Sequence, residues 1–262
     1  MLPRPAPGVP RASWVYRIAA WIAFTVFRLQ GWRYDVAGAE HVPEQGGAVI
    51  AANHFSFWDF FLVGRAPYLG HGRPVRILAK ESLFRKPVFG WLMRQAAHIP
   101  VHRGRGTDAF ASAVAALEAG ELVLVLPEGT ISPAYELLAF HTGAARMAAR
   151  AGVPLVPAAS WGSHRFHSVR RRPNWSWRLP VSIRYGAPMH PDPHDDPREV
   201  TARLRHAIAG LTEDAILGYP DGVPQGAWWV PARHGGGAPT TAEADAYVDG
   251  LRSRWRGTRD VS

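Results

Sequence analysis

A short polar stretch at the end of an apolar run carries the residue types needed for acid–base chemistry. The stretch AVIAANHFSFWDFF begins as a buried strand, reaches Asn53 and His54, and places Asp59 five positions after the histidine. Five residues turn by about 140° along an ideal helix, so His54 and Asp59 cannot face each other on one helix. They can meet across a bend at the carboxyl end of a strand, where open α/β sheets place their ligands. Asp59 would then accept a hydrogen bond from one imidazole nitrogen and leave the other free to remove a proton.

A structural interpretation of the same residues stays open at this point. Ser56 and Asp59 also fit a capping box ahead of the apolar segment FFLVG, in which the carboxylate only satisfies backbone amides at a helix start. A histidine beside a short carboxylate is a weak motif by itself. The choice between a catalytic pair and a helix cap therefore depends on the neighbouring sequence.

Alternating strands and helices are predicted around this bend. Short apolar runs predict strands near residues 48–52, 75–79, 99–102, 122–126, 153–159 and 181–185. Apolar spacing predicts helices over residues 57–65, 87–95, 107–119 and 142–150. Gly120 and Gly152 stand where C-terminal helix caps belong. Strands that alternate with helices indicate an α/β fold whose largely parallel sheet is covered by helices on both faces.

The predicted α/β domain spans residues 36–217 and is preceded by a membrane-interface segment, residues 1–35. Residues 14–29, WVYRIAAWIAFTVFRL, are expected to be helical, and their apolar run is well short of the ~20 residues that span a bilayer. Tryptophan and arginine at the margins of this run suit the headgroup boundary, so we expect an interfacial helix. The alternative is a helix that packs in the core.

The C-terminal part is expected to add helices to the domain. A helix is predicted from beyond Pro197 to about Leu217, and residues 218–262 are expected to form a Pro/Gly-rich connection and a last helix. Thr240 and Glu243 make a capping box for that last helix. We expect this tail to pack on the domain, with Trp228 and Trp229 covering the core.

Composition limits the class of protein. A chain of 262 residues with 47% hydrophobic side chains can bury one substantial core, which indicates one catalytic domain. The absence of cysteine excludes a disulfide framework, a thiolate zinc site and a cysteine nucleophile, and it favours a cytoplasmic setting. The net charge of +9 indicates an anionic partner, for which phospholipid headgroups, coenzyme phosphates and nucleic acid all qualify.

Four short motifs follow one another over residues 40–160. They are Asn53-His54-FSFW-Asp59, Ile99-Pro100-Val101-His102-Arg103, Leu126-Pro127-Glu128-Gly129-Thr130 and Val153-Pro154-Leu155-Val156-Pro157. In type and order they resemble the four motifs of the glycerolipid acyltransferases, a family that includes bacterial lysophosphatidic acid acyltransferases. Four motifs in family order are far more specific than any one of them, and they favour the catalytic interpretation of His54 and Asp59.

The resemblance implies catalysis without a covalent enzyme intermediate. It makes His54 the general base that deprotonates the acceptor hydroxyl and Asp59 the group that orients it, while the acyl group passes directly from a thioester. The sequence agrees, because Ser56 lacks the glycine-flanked elbow expected of a nucleophilic serine and the chain has no cysteine. No metal or cofactor is expected beyond the acyl donor, which is acyl-coenzyme A or acyl carrier protein.

The resemblance also implies a group of acceptor-binding residues. Arg103 would hold the acceptor phosphate with its fixed fork of donors, and Glu128, Gly129 and Thr130 would line the glycerol part, with Gly129 allowing close approach of the backbone. Lys80 follows a predicted strand and would place its ammonium near the same phosphate. Two structural alternatives stay open, namely a solvated Arg103 and a Glu128 that only accepts backbone N–H groups at the turn. His141 departs from the family, which commonly has lysine there, so no fixed positive charge is expected at that position.

The expected function is transfer of a fatty acyl group to the free hydroxyl of a lysophospholipid in phospholipid biosynthesis. Lysophosphatidic acid, the family's commonest acceptor, would give phosphatidic acid. An anionic membrane surface is the expected partner, with the protein peripheral or monotopic at the cytoplasmic face of the cell membrane. One alternative is a non-catalytic lipid-binding relative. The other is a nucleic-acid binder, which the arginine- and aromatic-rich residues 164–178 would suit, but no nucleic-acid-binding motif is present and we expect no such partner.

Overall fold

The computed structural model describes residues 12–102 and 106–257, whose strands form one seven-stranded sheet. In chain order the strands are β1 (Arg33–Ala37), β2 (Ala48–Ala52), β3 (Val75–Lys80), β4 (Ile99–Val101), β5 (Leu122–Val125), β6 (Leu155–Trp161) and β7 (Pro180–Tyr185). Their order across the sheet is β1-β7-β6-β2-β5-β3-β4, and all neighbours run parallel except β6 and β7. The prediction of a largely parallel sheet is confirmed.

The three central strands consist mainly of apolar residues that are buried on both faces of the sheet. Every residue of β2, β5 and β6 is buried. Such continuous apolar runs are typical of parallel strands with helices on both sides. Because β2 runs parallel to both β5 and β6, the carboxyl ends of these strands meet at one edge of the sheet.

Nine α-helices occur among the described residues, and they cover both faces of the sheet. They are α1 (Trp14–Leu29), α2 (Asp59–Val63), α3 (Arg65–His71), α4 (Glu81–Phe84), α5 (Pro87–Gln95), α6 (Gly106–Glu118), α7 (Gly143–Ala151), α8 (Pro197–Leu217) and α9 (Thr241–Gly257). Ile50 lies in one buried cluster with Phe27 of α1 and Leu62 of α2. Its neighbour Val49 points to the opposite face, where it lies in a second cluster with Leu117 of α6. The prediction of a sheet covered on both faces is therefore confirmed.

The structure differs from the sequence prediction in the segment after β2. Residues 57–65 were expected to form one helix, but a turn precedes α2, which begins at Asp59, and α3 follows as a separate helix. The Asp59 carboxylate accepts hydrogen bonds from the backbone amides of Phe55 and Ser56. These bonds hold the preceding residues in a turn, so the helix starts late.

The edge strand β1 is a second difference, because the sequence analysis did not predict it. Its sequence, RYDVA, mixes charged and apolar residues and has exposed or half-buried positions throughout. An edge strand of this kind lacks the continuous apolar run that marked the central strands. Residues 33–35, which the sequence-based division assigned to the membrane-interface segment, are part of the sheet.

The C-terminal segment packs on the domain as expected. Trp229 is buried in a cluster with Phe55 and Trp161, and Trp228 packs against that cluster. At the start of α9, Thr240 N–H donates to Glu243 Oε2 over 2.8 Å and Glu243 N–H donates to Thr240 Oγ1 over 3.3 Å. These reciprocal bonds form the predicted capping box, and the tryptophans cover the core.

The N-terminal helix α1 has one face packed on the domain and another face exposed. Phe27 is buried and stacks on Trp32 with ring centroids 4.1 Å apart, so one face of α1 packs on the domain. Trp14, Trp21 and Leu29 on the same helix are exposed. Within residues 12–102 and 106–257, no helix has the length and hydropathy that a bilayer-spanning segment requires.

Candidate active site

The site begins at Asn53, just after β2, where a side-chain amide takes over the hydrogen bonds that the β2 backbone would make with β6. Its Nδ2 donates to the carbonyl oxygen of Ser160 on β6 over 2.9 Å, and its Oδ1 accepts from Ser160 N–H over 2.7 Å. The side-chain amide thus makes the two bonds that a further residue of β2 would have made. The main chain can leave the sheet at this point without leaving the backbone N–H and carbonyl of Ser160 unpaired.

The backbone of His54 is held by the segment that follows β5. Its N–H donates to Glu128 Oε1 over 2.7 Å, and its carbonyl oxygen accepts from Ser132 N–H over 2.9 Å. Both partners come from the loop at the carboxyl end of the neighbouring strand. This loop therefore fixes where the His54 side chain leaves the main chain.

The structure brings His54 and Asp59 together across the predicted bend. His54 Nδ1 lies 3.3 Å from Asp59 Oδ2, and the two side chains are 16% and 0% exposed, respectively. With Nδ1 donating to the carboxylate, Nε2 carries the lone pair of a neutral imidazole and can accept a proton. Part of the His54 side chain therefore reaches the surface although its carboxylate partner does not.

Asp59 serves as both the partner of His54 and the cap of the following turn. Its Oδ2 accepts from the amides of Phe55 and Ser56, each over 2.7 Å, and its Oδ1 accepts from the hydroxyl of Ser163 over 2.7 Å. The cap bonds of the structural interpretation and the His54 contact that the catalytic interpretation requires are therefore both present. The same bonds that cap the turn aim the carboxylate at the imidazole.

Ser56 is engaged in structural hydrogen bonds. Its hydroxyl donates to the carbonyl oxygen of His167 over 2.8 Å and accepts from Trp58 N–H over 3.1 Å. The residue is fully buried. Its contacts agree with the expectation that this serine is not a nucleophile.

Glu128 occupies a buried position that differs from the expected acceptor contact. Its two carboxylate oxygens accept from the amides of His54 and Leu138, over 2.7 and 2.9 Å, and only 2% of the residue is exposed. Burial raises the pKa of Glu128 to about 8, although both amide bonds act in the opposite direction. The structural alternative thus describes Glu128 better, because it holds His54 in place and has no oxygen directed at solvent.

Gly129 and Thr130 form the surface of the turn that contains Glu128. Gly129 is exposed and has φ = +69°, a backbone conformation that favours glycine. A Cβ added there would lie 3.4 Å from Cδ2 of His141, whose own N–H donates to the carbonyl oxygen of Pro127 over 2.9 Å. The turn offers open backbone beside His54, as a close approach to a substrate requires.

Lys80 is the last residue of β3 and lies at the same edge of the sheet. It is exposed, and its Cα pairs with that of Val101 on β4. Because β3 is two strands from β2, its end lies about 10 Å from the end of β2 along the edge. Arg103, the residue expected on the acceptor phosphate, lies outside the described residues.

Ser163 is a contributor to the site that the sequence analysis missed. It is 104 residues from Asp59 in sequence, fully buried, and follows Gly162, whose φ is +97°. Only its position two residues after the end of β6, at the carboxyl edge, could have indicated it.

In the described part of the chain, no group of three or more histidine, aspartate or glutamate side chains has the arrangement of a metal site.

Fold and site together define a class, an α/β domain with a histidine–carboxylate pair at the carboxyl edge of its sheet. A family model described as Acyltransferase matches residues 33–161, which contain the pair and all the strands from β1 to β6. A 1-acyl-sn-glycerol-3-phosphate acyltransferase from Pseudomonas aeruginosa is 28% identical over 218 residues, covering 79% of this chain and 80% of the relative. The corresponding alpha enzyme of Ovis aries is 32% identical over 185 residues, covering 69% of this chain and 63% of the relative, so the chain spans less than two thirds of that protein.

The solved structures agree on the fold. The crystal structure of the 1-acyl-sn-glycerophosphate acyltransferase PlsC from Thermotoga maritima aligns with a TM-score of 0.63 and 24% identity, covering 76% of this chain and 78% of the other. Residues 33–161 of the chain belong to the acyltransferase family, and the enzyme class is acyl transfer.

Proposed function

We propose that this protein transfers a fatty acyl group from a thioester to the free hydroxyl of lysophosphatidic acid, giving phosphatidic acid. The observation that carries the proposal is the imidazole of His54, which contacts the buried carboxylate of Asp59 over 3.3 Å and remains partly exposed. The names of the relatives from Pseudomonas aeruginosa and Ovis aries support lysophosphatidic acid as the acceptor.

In the proposed reaction His54 acts first as a base and then as an acid. Nε2 takes the proton from the acceptor hydroxyl while the hydroxyl oxygen attacks the carbonyl carbon of the thioester. The tetrahedral intermediate collapses as the carbon–sulfur bond breaks, and the imidazolium returns the proton to the departing sulfur. Asp59 stabilises the imidazolium between these steps and keeps the ring in one tautomer. No acyl group is attached to the enzyme at any stage.

The acceptor would lie over the turn beside His54. Gly129 and Thr130 offer backbone and a hydroxyl for the glycerol part, and Lys80 at the end of β3 would supply positive charge for the phosphate. Arg103 remains the proposed phosphate ligand on the strength of the second motif. Glu128 contributes indirectly, because it holds the His54 amide.

The proposed setting is an anionic membrane surface. The acceptor is a lipid, the net charge is +9, and α1 exposes apolar side chains. The proposed donor is acyl-coenzyme A or acyl carrier protein, with no further cofactor and no nucleic-acid partner. We place the protein at the cytoplasmic face of the cell membrane as a peripheral or monotopic enzyme.

Release of free thiol from an acyl-coenzyme A on addition of lysophosphatidate tests the proposed reaction directly. We expect thiol release only with donor and acceptor together, and phosphatidic acid as the lipid product. The same assay with acyl carrier protein as donor and with other lysophospholipids as acceptors would rank the substrates. Lipid binding without thiol release from any donor would instead identify a non-catalytic relative.

Arg103→Lys tests the proposed phosphate ligand. Arginine presents two parallel N–H groups where lysine offers one ammonium, so use of lysophosphatidate should weaken by about 1 to 3 kcal/mol. We expect the KM for the acceptor to rise, or its kcat/KM to fall, while the kinetic constants for the donor change little. Equal losses for both substrates, or none for either, would remove Arg103 from the phosphate site.

A further inference from the structure

Large apolar side chains are exposed on α1 and on two elements that adjoin it. Eleven of the thirteen exposed large apolar residues in the described chain belong to these elements. They are Trp14, Ile18, Trp21, Ile22, Val26 and Leu29 on α1, Val88, Phe89 and Trp91 on α5, and Trp175 and Trp177 in the loop before β7. We call this set the aromatic belt. Monomeric soluble proteins rarely expose contiguous apolar patches of this kind without a partner.

The belt is continuous from one end of α1 to the other. At the start of α1, the rings of Trp14 and Trp91 lie with centroids 6.5 Å apart. At its end, Gln30 accepts a hydrogen bond from Arg178 N–H over 2.8 Å, which places the residue after Trp177 beside the helix. Because α1 has 16 residues, the belt is about 24 Å long.

The charges around the belt select an anionic and apolar partner. None of the residues in the three segments that carry it is acidic, namely residues 12–34, 86–95 and 166–178. Arg17 and Arg28 are exposed on α1 itself, and Arg172 is exposed in the loop. A second copy of the chain would fit poorly, because a two-fold interface would bring arginines against arginines. An anionic bilayer satisfies both the apolar face and the basic flanks.

The loop that carries Trp175 and Trp177 contacts the bend that contains His54 and Asp59. Phe57 lies between His54 and Asp59 in sequence, is 44% exposed, and packs against His167 with ring centroids 4.6 Å apart and the ring planes tilted by 39°. Its N–H also donates to the carbonyl oxygen of His167 over 3.4 Å. The segment that carries Trp175 and Trp177 therefore begins at a residue that packs against the bend.

We infer that the aromatic belt is a three-element membrane-contact surface that fixes the orientation of the site on an anionic bilayer. A single anchoring helix would leave the domain free to rotate about the helix axis. Contacts from α5 on one side and from residues 166–178 on the other remove that rotation and keep His54 directed at the lipid. The inference rests on the proposed lipid acceptor, and it extends the membrane contact beyond the N-terminal segment.

Site-specific labelling can test each element, because the chain contains no cysteine that would need to be removed. We would prepare Ile22→Cys, Phe89→Cys and Trp177→Cys, each carrying an environment-sensitive fluorophore, and add vesicles of phosphatidylcholine with phosphatidylglycerol. Leu217→Cys is the matched control, since Leu217 is an exposed apolar residue outside the belt. We expect blue-shifted emission from positions 22, 89 and 177 and none from position 217. A response from position 22 alone would overturn the three-element surface, as would no response from any position.

Vesicle partitioning of unlabelled variants provides a second test. Trp175→Ser/Trp177→Ser and Val88→Ser/Phe89→Ser should each weaken partitioning about tenfold or more, since each loses two large apolar side chains, while Leu217→Ser should match the wild type. Unchanged partitioning with a raised KM for the acyl donor would assign the loop to the donor and overturn the inference. A wild-type dimer that these variants dissociate would overturn it in favour of a second copy. Partitioning requires no turnover, so a failure here is distinguishable from absence of thiol release.

Discussion

Two histidines on either side of Phe55 show how differently one side chain can be used within a small volume. His54 precedes Phe55 in sequence and contacts a carboxylate, whereas His164 lies against the ring of Phe55 with centroids 6.3 Å apart. His164 is fully buried, its Nε2 donates to the carbonyl oxygen of Trp229 over 2.9 Å, and its ring packs on Tyr135 at 4.3 Å and Trp161 at 4.4 Å. Burial lowers the pKa of His164 to about 4, so this ring stays neutral.

The two histidines differ in the group that each ring nitrogen contacts and in how much of each side chain is exposed to solvent. A carboxylate can stabilise an imidazolium, but a backbone carbonyl in an aromatic cluster offers far less compensation for a buried charge. His54 also retains an exposed fraction that His164 lacks. One histidine is thus suited to exchange protons with a substrate, and the other joins the C-terminal segment to the core.

The largest expected effect is that of His54→Ala. General acid–base groups contribute up to about 10⁴-fold to rate, so kcat should fall about a thousandfold or more, about 4 kcal/mol in activation free energy. The melting temperature and vesicle binding should persist, because the bend is held by backbone bonds and by Asp59. Turnover and thermal unfolding measured on the same preparation would check this. A variant that kept most of its kcat would assign the base elsewhere.

The pH dependence of stability should include a contribution from His164. The folded pKa of His164 is about 4 against 6.5 for the free side chain, so its contribution is complete above pH 6.5 and is lost as the pH falls toward about 4. The expected loss is about 3 kcal/mol. Chemical unfolding across this range, compared between wild type and His164→Phe, isolates the contribution. If the two proteins lost stability in parallel on acidification, His164 would not be the responsible group.

Asp59→Asn should affect rate more than stability. The amide oxygen can still accept from Phe55 and Ser56, and its NH₂ group can donate to the hydroxyl of Ser163, but the charge that stabilises the imidazolium is lost. We expect kcat to fall about a hundredfold, about 3 kcal/mol, with about 1 kcal/mol lost from the free energy of unfolding. Near-normal kcat with a lower melting temperature would reduce Asp59 to a helix cap.

The smallest expected effect concerns Ser163, which acts on His54 only through Asp59. Ser163→Ala removes the one bond to Oδ1 of Asp59, and kcat should fall about tenfold while the KM values for donor and acceptor stay unchanged. Ser163→Thr retains a hydroxyl and should recover most of the rate. If Ser163→Ala lowered only the melting temperature, Ser163 would be a structural residue with no part in positioning the pair.

The strongly apolar or periodic parts of the fold were predictable from sequence. The structure reproduces β2 at residues 48–52 and α5 at residues 87–95 with the predicted bounds, and α8 ends at Leu217, close to the predicted end. These elements are specified by local patterns, namely continuous apolar runs and helical spacing. The edge strand β1 was missed because its mixed sequence gains its conformation from pairing with β7, which is distant in the chain.

The site was predictable only where its contacts are local. The five-residue spacing of His54 and Asp59 was enough to predict a contact across a bend. Ser163 lies 104 residues from Asp59, and Glu128 lies 74 residues from His54, so their roles depend on strand order across the sheet. Sequence spacing holds no information about such partners. From sequence, Glu128 could either bind the acceptor or accept backbone N–H groups at the turn. Its burial and its two amide bonds favour the second interpretation.

The Asn53 amide has a consequence for any attempt to transplant this chemistry. Its two bonds with Ser160 join the motif to a strand that begins more than 100 residues later, so the motif does not carry its own geometry. A peptide or a designed scaffold given the same seven-residue sequence would lack the strand that lets the chain turn early. A scaffold that receives the pair therefore needs a neighbouring strand whose backbone N–H and carbonyl can bond the asparagine amide, as those of Ser160 do. It also needs a serine at the turn after that strand, in the position of Ser163. A designer would need to copy that two-strand frame first and the histidine second.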